Sequence, residues 1–198
     1  MPVLGRPRAF DRDAALQAAV ELFWRKGFLA TSMNDLCEAM GIRSPSLYAA
    51  FGSKENLYAE AVARYNDAAD LLIWNHLDDG PTVRAGLQKV LMAAARIVAH
   101  GGEAPSGCMV TLAAGGECAG STPDTAKAGR AGSLARLRAG FKRAVSSGEL
   151  PRSSNLDRLA RFYLGVVQGM AIQGRDGASQ AELEGLAKMA MAAWPVAA

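Results

Sequence analysis

No stretch of this chain keeps eighteen apolar residues in a row, so no segment reads as a membrane-spanning helix. Met1 to Phe10 lacks the apolar core of a secretory signal, and a cytoplasmic location is expected, with no membrane partner. Only 3 cysteines occur, Cys37, Cys108 and Cys118. Their odd number and wide spacing exclude a disulfide framework, and they lack zinc-site spacing. There are only 2 histidines, His76 and His100, and no HExxH, GxSxG, Walker or GxGxxG motif. An enzyme is therefore not expected, and neither is a cofactor or a metal. Alternating strand-like stretches are scarce. Net charge is only +3. A nucleic-acid partner would have to be met by local charge rather than by the whole molecule.

What is present is apolar and helical. Hydrophobic residues make up 50% of the 198 positions, enough for a buried core. Alanine and leucine abound, which favours an all-α fold. The most informative stretch runs from Thr31 to Lys54, TSMNDLCEAMGIRSPSLYAAFGSK. Met33, Leu36, Cys37 and Met40 recur at the spacing of one helix face. Thr31 stands where a hydroxyl can cap that helix. Gly41 follows, at the point where the chain needs a positive φ to leave it. Ser44 reads as the cap of a second helix, and Pro45 suits its first turn. Leu47 and Phe51 can face inward, leaving Arg43, Ser46, Tyr48 and Ala49 outside. Two helices joined by a short turn containing Gly form a helix-turn-helix, whose second helix can enter a DNA major groove. An ordinary helical hairpin has the same spacing. The second helix favours DNA, because no acidic residue lies between Gly41 and Lys54. Small polar side chains let such a helix approach base edges, while Thr31, Tyr48 and Lys54 can reach phosphates. Base reading would fall to Arg43 and Ser46, and Ser46 would leave the preference loose.

Residues 11 to 65 resemble the DNA-binding domain of the TetR (tetracycline-repressor) family of bacterial regulators. The resemblance is carried by Ala18 to Gly27 (AAVELFWRKG), Phe28, Thr31-Ser32, Leu36, Ala39, Gly41-Ile42, Ser44, Leu47-Tyr48, Phe51, Ser53-Lys54-Glu55 and Leu57. It covers a little over a quarter of the chain, and SLYAAFGSKENLY is its most distinctive run. It implies an all-α homodimer of roughly nine helices, an operator DNA as partner, and a small-molecule effector. The corresponding division is residues 1 to 54 for DNA and 55 to 198 for effector binding and dimerisation; by their own composition Arg6 and Arg8 read either as a basic arm that reaches DNA or as a frayed polar terminus.

The rest of the chain is read with that division. A first helix is expected from Asp11 to Lys26, with Phe23 and Trp24 packed on Leu36, Leu47 and Phe51. A long fourth helix is expected from Lys54 to His76, turning Leu72, Ile73 and Leu77 into a second core. Thr82 can cap a fifth helix. Cys108 to Ala114 is a short helix by context, and Pro123 can begin a seventh. The basic side chains of that seventh helix (Arg130, Arg136, Arg138, Lys142 and Arg143) read as a solvated surface. Candidates for an effector pocket are Trp74, Cys108, Met109, Phe141 and Phe162. Cys108 has a second reading, as a thiol that senses oxidants or electrophiles. In the last two helices Gly165 and Gly169 lie four apart, where each costs about 1 kcal/mol of helix propensity against Ala. Close helix packing would offset that cost. A two-fold contact through Gly165, Val166, Gly169, Leu186 and Ala190 is the expected dimer interface. The remaining alternative is a helical protein-interaction module.

Overall fold

The structure, a computed structural model, describes residues 10–101, 105–113 and 125–195. The basic arm at Arg6 and Arg8, Cys118 and Pro123 lie outside the described residues. Among those described the order is nine α-helices and one 3-10 turn, with no strand.

Helix α1 (Arg12–Ala30) begins where the Asp11 carboxylate accepts the backbone N–H groups of Asp13 and Ala14, at 3.0 and 3.1 Å. Leu16, Ala19, Val20 and Phe23 form its buried stripe. Gly27, at φ 77 and ψ 168, breaks the regular helix one residue after the expected end, and one more turn carries the chain to Ala30. Helix α2 (Met33–Met40) buries Leu36 and Met40 and stops at Gly41, whose left-handed φ of 65 lets its N–H reach back to α2 carbonyls. Helix α3 (Ser44–Phe51) buries Leu47 and Phe51. Ser53 caps α4 (Lys54–Leu72) by accepting from Asn56.

The fourth helix does not run to His76. It ends at Leu72, and Ile73 (φ −127, ψ −63) turns the chain into a 3-10 segment, Trp74–Asp78. A 3-10 turn repeats every three residues and brings Trp74 and Leu77 onto one buried side. Leu71 and Leu72 stay outside, at 70% and 52% exposure, so Leu72 does not enter the second core as expected.

Thr82 caps α5 (Val83–Val98), as its position suggests. Then follow α6 (Met109–Leu112), α7 (Thr125–Ser146), α8 (Leu156–Arg175) and α9 (Gln180–Ala192). Two apolar cores result. One joins α1 to α3 with Leu57, Tyr58, Ala61 and Val62 of α4 and takes in Met109, Val110 and Ala126. The other joins the 3-10 turn with α5, α7, α8 and α9 around Phe141, Tyr163 and Trp194, whose rings lie 5.8 to 6.4 Å apart. The α7 arginines do not form a plain solvated surface. Arg136 pairs with Asp70 at 2.8 Å, Arg138 with Asp157 and Arg143 with Asp78, and Arg130 donates to the Val110 carbonyl. They tie α7 to α4, to the 3-10 turn, to α6 and to α8.

Glycine permits two close approaches in the second half. A Cβ on Gly174 would sit 2.0 Å from the Val98 carbonyl oxygen, and one on Gly86 2.4 Å from that of Leu77. Both obstacles are backbone and cannot swing aside. The variant G174A is expected to lose about 2 kcal/mol of stability, the usual size of an overpacking cost. Chemical denaturation of wild type and variant checks this.

Candidate nucleic-acid interface

The turn between α2 and α3 is held from below and presented from above. Leu36 and Leu47 are fully buried, and Met40 and Phe51 nearly so. Beneath them Phe23 meets Tyr58 edge-on at 5.1 Å and stacks with Phe28 at 6.2 Å. Trp24 turns away from this group to meet Tyr65 edge-on at 5.0 Å, and its Nε1 is buried without a hydrogen-bond partner. Only Phe23 of the expected aromatic pair therefore supports the turn at its centre.

Above the core, Arg43, Ser44, Pro45, Ser46, Tyr48 and Ala49 are exposed. Tyr48 is 49% exposed. Arg43, not Ser44, precedes the first helical residue, and no side chain caps α3. Helices α1, α2 and α4 each have a side-chain cap. Pro45 has no N–H, so the first-turn groups left without a side-chain cap are those of Ser44 and Ser46, where they favour an anionic group.

Thr31 is not at this surface. Its side chain is buried, at 1% exposure, and its hydroxyl donates to the Gly27 carbonyl at 2.7 Å. It braces the α1 kink and cannot meet a phosphate. Ser32 does the capping instead. Its hydroxyl accepts from Asp35 N at 3.1 Å, and Asp35 accepts from Ser32 N at 2.8 Å, a reciprocal capping box. Lys26 donates to the other Asp35 oxygen at 3.0 Å. The Lys54 ammonium lies 4.3 Å from the centre of the Phe28 ring, and partial burial lowers its pKa. Lys54 therefore sits at the edge of the α3 surface, against the α1 kink.

The proposed effector residues are not brought together. Trp74 and Phe141 are buried in the second core, and Phe141 is walled in by Tyr163 and Trp194. Phe162 is 45% exposed on the outside of α8. Met109 and Cys108 lie where the two cores meet, and the Cys108 thiol hydrogen-bonds Tyr65. Burial, above all, pushes the Tyr65 hydroxyl well above its usual pKa. Phe162 lines a cleft of about 450 Å³ with Pro151, Arg158 and Leu159, and two further clefts lie at the α1 seam. One cleft of about 350 Å³ is lined by Trp24, Arg64, Tyr65, Leu72, Ile73 and Ile97. Another of about 350 Å³ lies between the α1 kink and α6, lined by Phe28, Tyr58, Met109 and Arg175 among others. Among the described residues no group of three or more His, Cys, Asp and Glu side chains could hold a metal ion.

On α8 and α9 the interface candidates divide. A Cβ on Gly165 or Gly169 would meet nothing within 4 Å, so neither glycine serves packing inside the chain. Val166 and Leu186 are half-buried against the second core. Ala190 is buried within the subunit, and its carbonyl accepts from the Tyr163 hydroxyl at 3.3 Å. Ala190 is therefore not available to a partner. The sequence pattern missed Ile172 and Met189, which are 50% and 72% exposed.

The comparison with known proteins decides the family. Residues 15–61 match the model for bacterial regulatory proteins of the tetR family. Over 203 residues the chain is 34% identical to the transcriptional repressor ComR of Escherichia coli K12, covering 96% of this chain and 92% of ComR. The chain belongs to the TetR family of bacterial regulatory proteins. A solved TetR-family relative is a cysteine-substituted CifR bound to 26-base-pair double-strand operator DNA, with TM-score 0.90, 38% identity, and coverage of 96% of this chain and 100% of that one. AibR, solved with isovaleryl coenzyme A and operator DNA, shares the fold at TM-score 0.71 and 19% identity, covering 93% and 98% of the two chains. In this family setting the α2–turn–α3 unit is the helix-turn-helix, and no helix among the described residues is long and apolar enough to cross a membrane.

The capping box makes a pH prediction. Hydrogen bonds from Ser32, then Lys26, hold the Asp35 carboxyl at about 2, below its ordinary 3.8. A carboxylate depressed in the folded state contributes stability above its unfolded pKa and loses it as pH falls toward the folded value. D35N should therefore melt below wild type at neutral pH, and the gap should close between pH 3.8 and 2. Thermal melts across that range check it.

Proposed function

We propose that this protein is a homodimeric, effector-responsive repressor that holds operator DNA through α3 and releases it when a small molecule binds. The observation that carries the reading is the exposed, acid-free and uncapped face of α3 (Arg43 to Ala49) standing on a buried aromatic core. Backbone N–H groups and Tyr48 suit phosphates, while Arg43 and Ser46 suit base edges. Lys54 takes a phosphate on leaving Phe28. Ser32 replaces Thr31 as the exposed hydroxyl at the start of α2. The protein acts in the cytoplasm and has no catalytic role.

Division of labour follows the two cores. Residues 1–54 form the DNA-binding unit and 55–198 the effector and dimerisation unit, with α4 shared and with Gln17, Val20 and Trp24 of α1 closing one wall of the effector cleft. The dimer face is the outer surface of α8 and α9: Phe162, Gly165, Gly169 and Ile172 beside Met189. Paired glycines with nothing beside them let a second copy's backbone come close, and self-contact gives the two-fold symmetry that half-sites about 34 Å apart require. The effector enters the cleft beside Trp24 and Tyr65, between α1 and α4. A ligand that opens the seam would uncover the buried, unpartnered indole N–H as a donor. A ligand there wedges α4 from α1 and moves the two reading helices, with a coupling of about 1–3 kcal/mol.

Replacing Ser46 and Tyr48 together by Ala tests the reading. Both side chains point to solvent, so helical content and melting temperature should hold while affinity for operator DNA falls at least a hundredfold in a fluorescence-anisotropy titration. Retained affinity would move the DNA site off α3. For the dimer face, Gly169→Arg should convert the protein to a folded monomer by light scattering. A dimer that survives this change would place the interface elsewhere.

A further inference from the structure

Arg12 links three helices at the reading helix's last turn. It stands at the start of α1, and one terminal nitrogen donates to both carboxylate oxygens of Glu60 on α4, at 2.9 and 2.7 Å. The same nitrogen donates to the Ala50 carbonyl at 3.4 Å, in the last turn of α3. Its guanidinium carbon lies 4.4 Å from the centre of the Phe51 ring, in the stacked position that favours a cation over an aromatic face. The side chain is 47% exposed and that of Glu60 38%, so the ion pair contributes little to overall stability. Its significance is geometric.

We propose that Arg12 is a positioning residue for DNA reading: with Glu60 it clamps the C-terminal end of α3 and so sets the angle at which Arg43 and Ser46 approach base edges, without touching DNA itself. This rests on the assignment of α3 as the reading helix. Helix α3 has eight residues and spans about 12 Å. Its buried contacts are Leu47 near the middle and Phe51 at the end. Leu47, Phe51 and the half-buried Ala50 hold the helix on the core, but apolar contacts are non-directional and leave its angle some freedom. Arg12 closes that freedom by holding the Phe51 ring and the Ala50 carbonyl against α1 and α4. Base-edge hydrogen bonds fail with small misplacements, whereas phosphate contacts follow the backbone charge and tolerate them. Loss of the clamp should therefore cost sequence preference rather than general affinity. Lysine cannot replace arginine here, since the flat guanidinium both stacks on the ring and directs its N–H groups sideways.

The test uses the full-length protein, a duplex that the wild type enriches from a random-sequence pool, and an unselected duplex, titrated by anisotropy at several salt concentrations. R12Q is expected to bind the enriched duplex about tenfold more weakly, with two clamps lost per dimer. Affinity for the unselected duplex and the slope of log affinity on log salt should stay as in wild type. R12K should behave like R12Q, and E60Q should shift preference in the same direction. If Arg12 instead grips a phosphate, R12Q weakens both duplexes and flattens the salt slope by about 0.9 per contact, R12K restores both, and E60Q tightens both. That pattern overturns the proposal. So does a lowered melting temperature with unchanged preference in all three variants, which would make the clamp purely structural. Should R12Q fail to fold by circular dichroism, E60Q decides alone. A wild type that enriches no sequence at all removes the α3 assignment, and this inference falls with it.

Discussion

An eight-residue helix does not hold itself together in water, and the proposed reading of DNA rests on one such helix. α3 exists because Leu47 and Phe51 are sunk into a core built by α1, α2 and the first half of α4. Burying two such side chains is worth about 1.5–3 kcal/mol each, enough to offset the marginal helix. The consequence is that the exposed face is free of structural duty. Arg43, Ser46 and Tyr48 can be chosen for DNA because nothing in the fold needs them.

The same dependence ties DNA reading to the rest of the chain. Tyr58 supports Phe23 and Phe28 from α4, and α4 ends beside the second core. α6 pushes Met109 and Val110 into the first core, while Arg130 of α7 holds its Val110 carbonyl and Arg175 of α8 reaches the Arg25 carbonyl of α1. The second half of the molecule therefore touches the first through α4, α6, Ala126 of α7 and Arg175 of α8. A small molecule that moves any of these changes the footing of α3. The α1 seam, with its clefts and the unpaired Trp24 N–H, is where that footing has room to change.

Much of this was legible from local pattern. Gly41 and the inward pairs Leu36–Met40 and Leu47–Phe51 follow from spacing and turn chemistry, and so do the caps at Asp11, Ser53 and Thr82. Where two adjacent residues could do one task, pattern alone chose badly. Thr31 and Ser32 both offer a hydroxyl, and the decision lies with Asp35, three residues after Ser32, a signal that was available. Leu71-Leu72-Ile73-Trp74 is apolar throughout, so its periodicity could not show that α4 ends at Leu72. The arginine ties of α7 and the clefts beside Trp24 join residues far apart in the chain, and no local spacing encodes them. Local spacing likewise could not say which of the effector candidates share a cleft: Met109 lines one and Phe162 another, while Trp74 and Phe141 lie in the second core. Ala190 failed for a narrower reason, since a small residue on a helix facing two neighbours carries no mark of which one it meets.

The most direct test of the account is selection of duplexes from a random pool by the purified protein, followed by titration of the winning sequence against an unselected one. A dimer reading DNA through two copies of α3 should enrich a two-fold symmetric sequence with half-site centres about one helical turn apart. It should bind that sequence about a thousandfold or more tighter than unselected DNA. Enrichment of nothing, with equal, weak and strongly salt-dependent binding to both duplexes, would mean that the α2–turn–α3 unit meets only phosphates and that α3 reads no sequence.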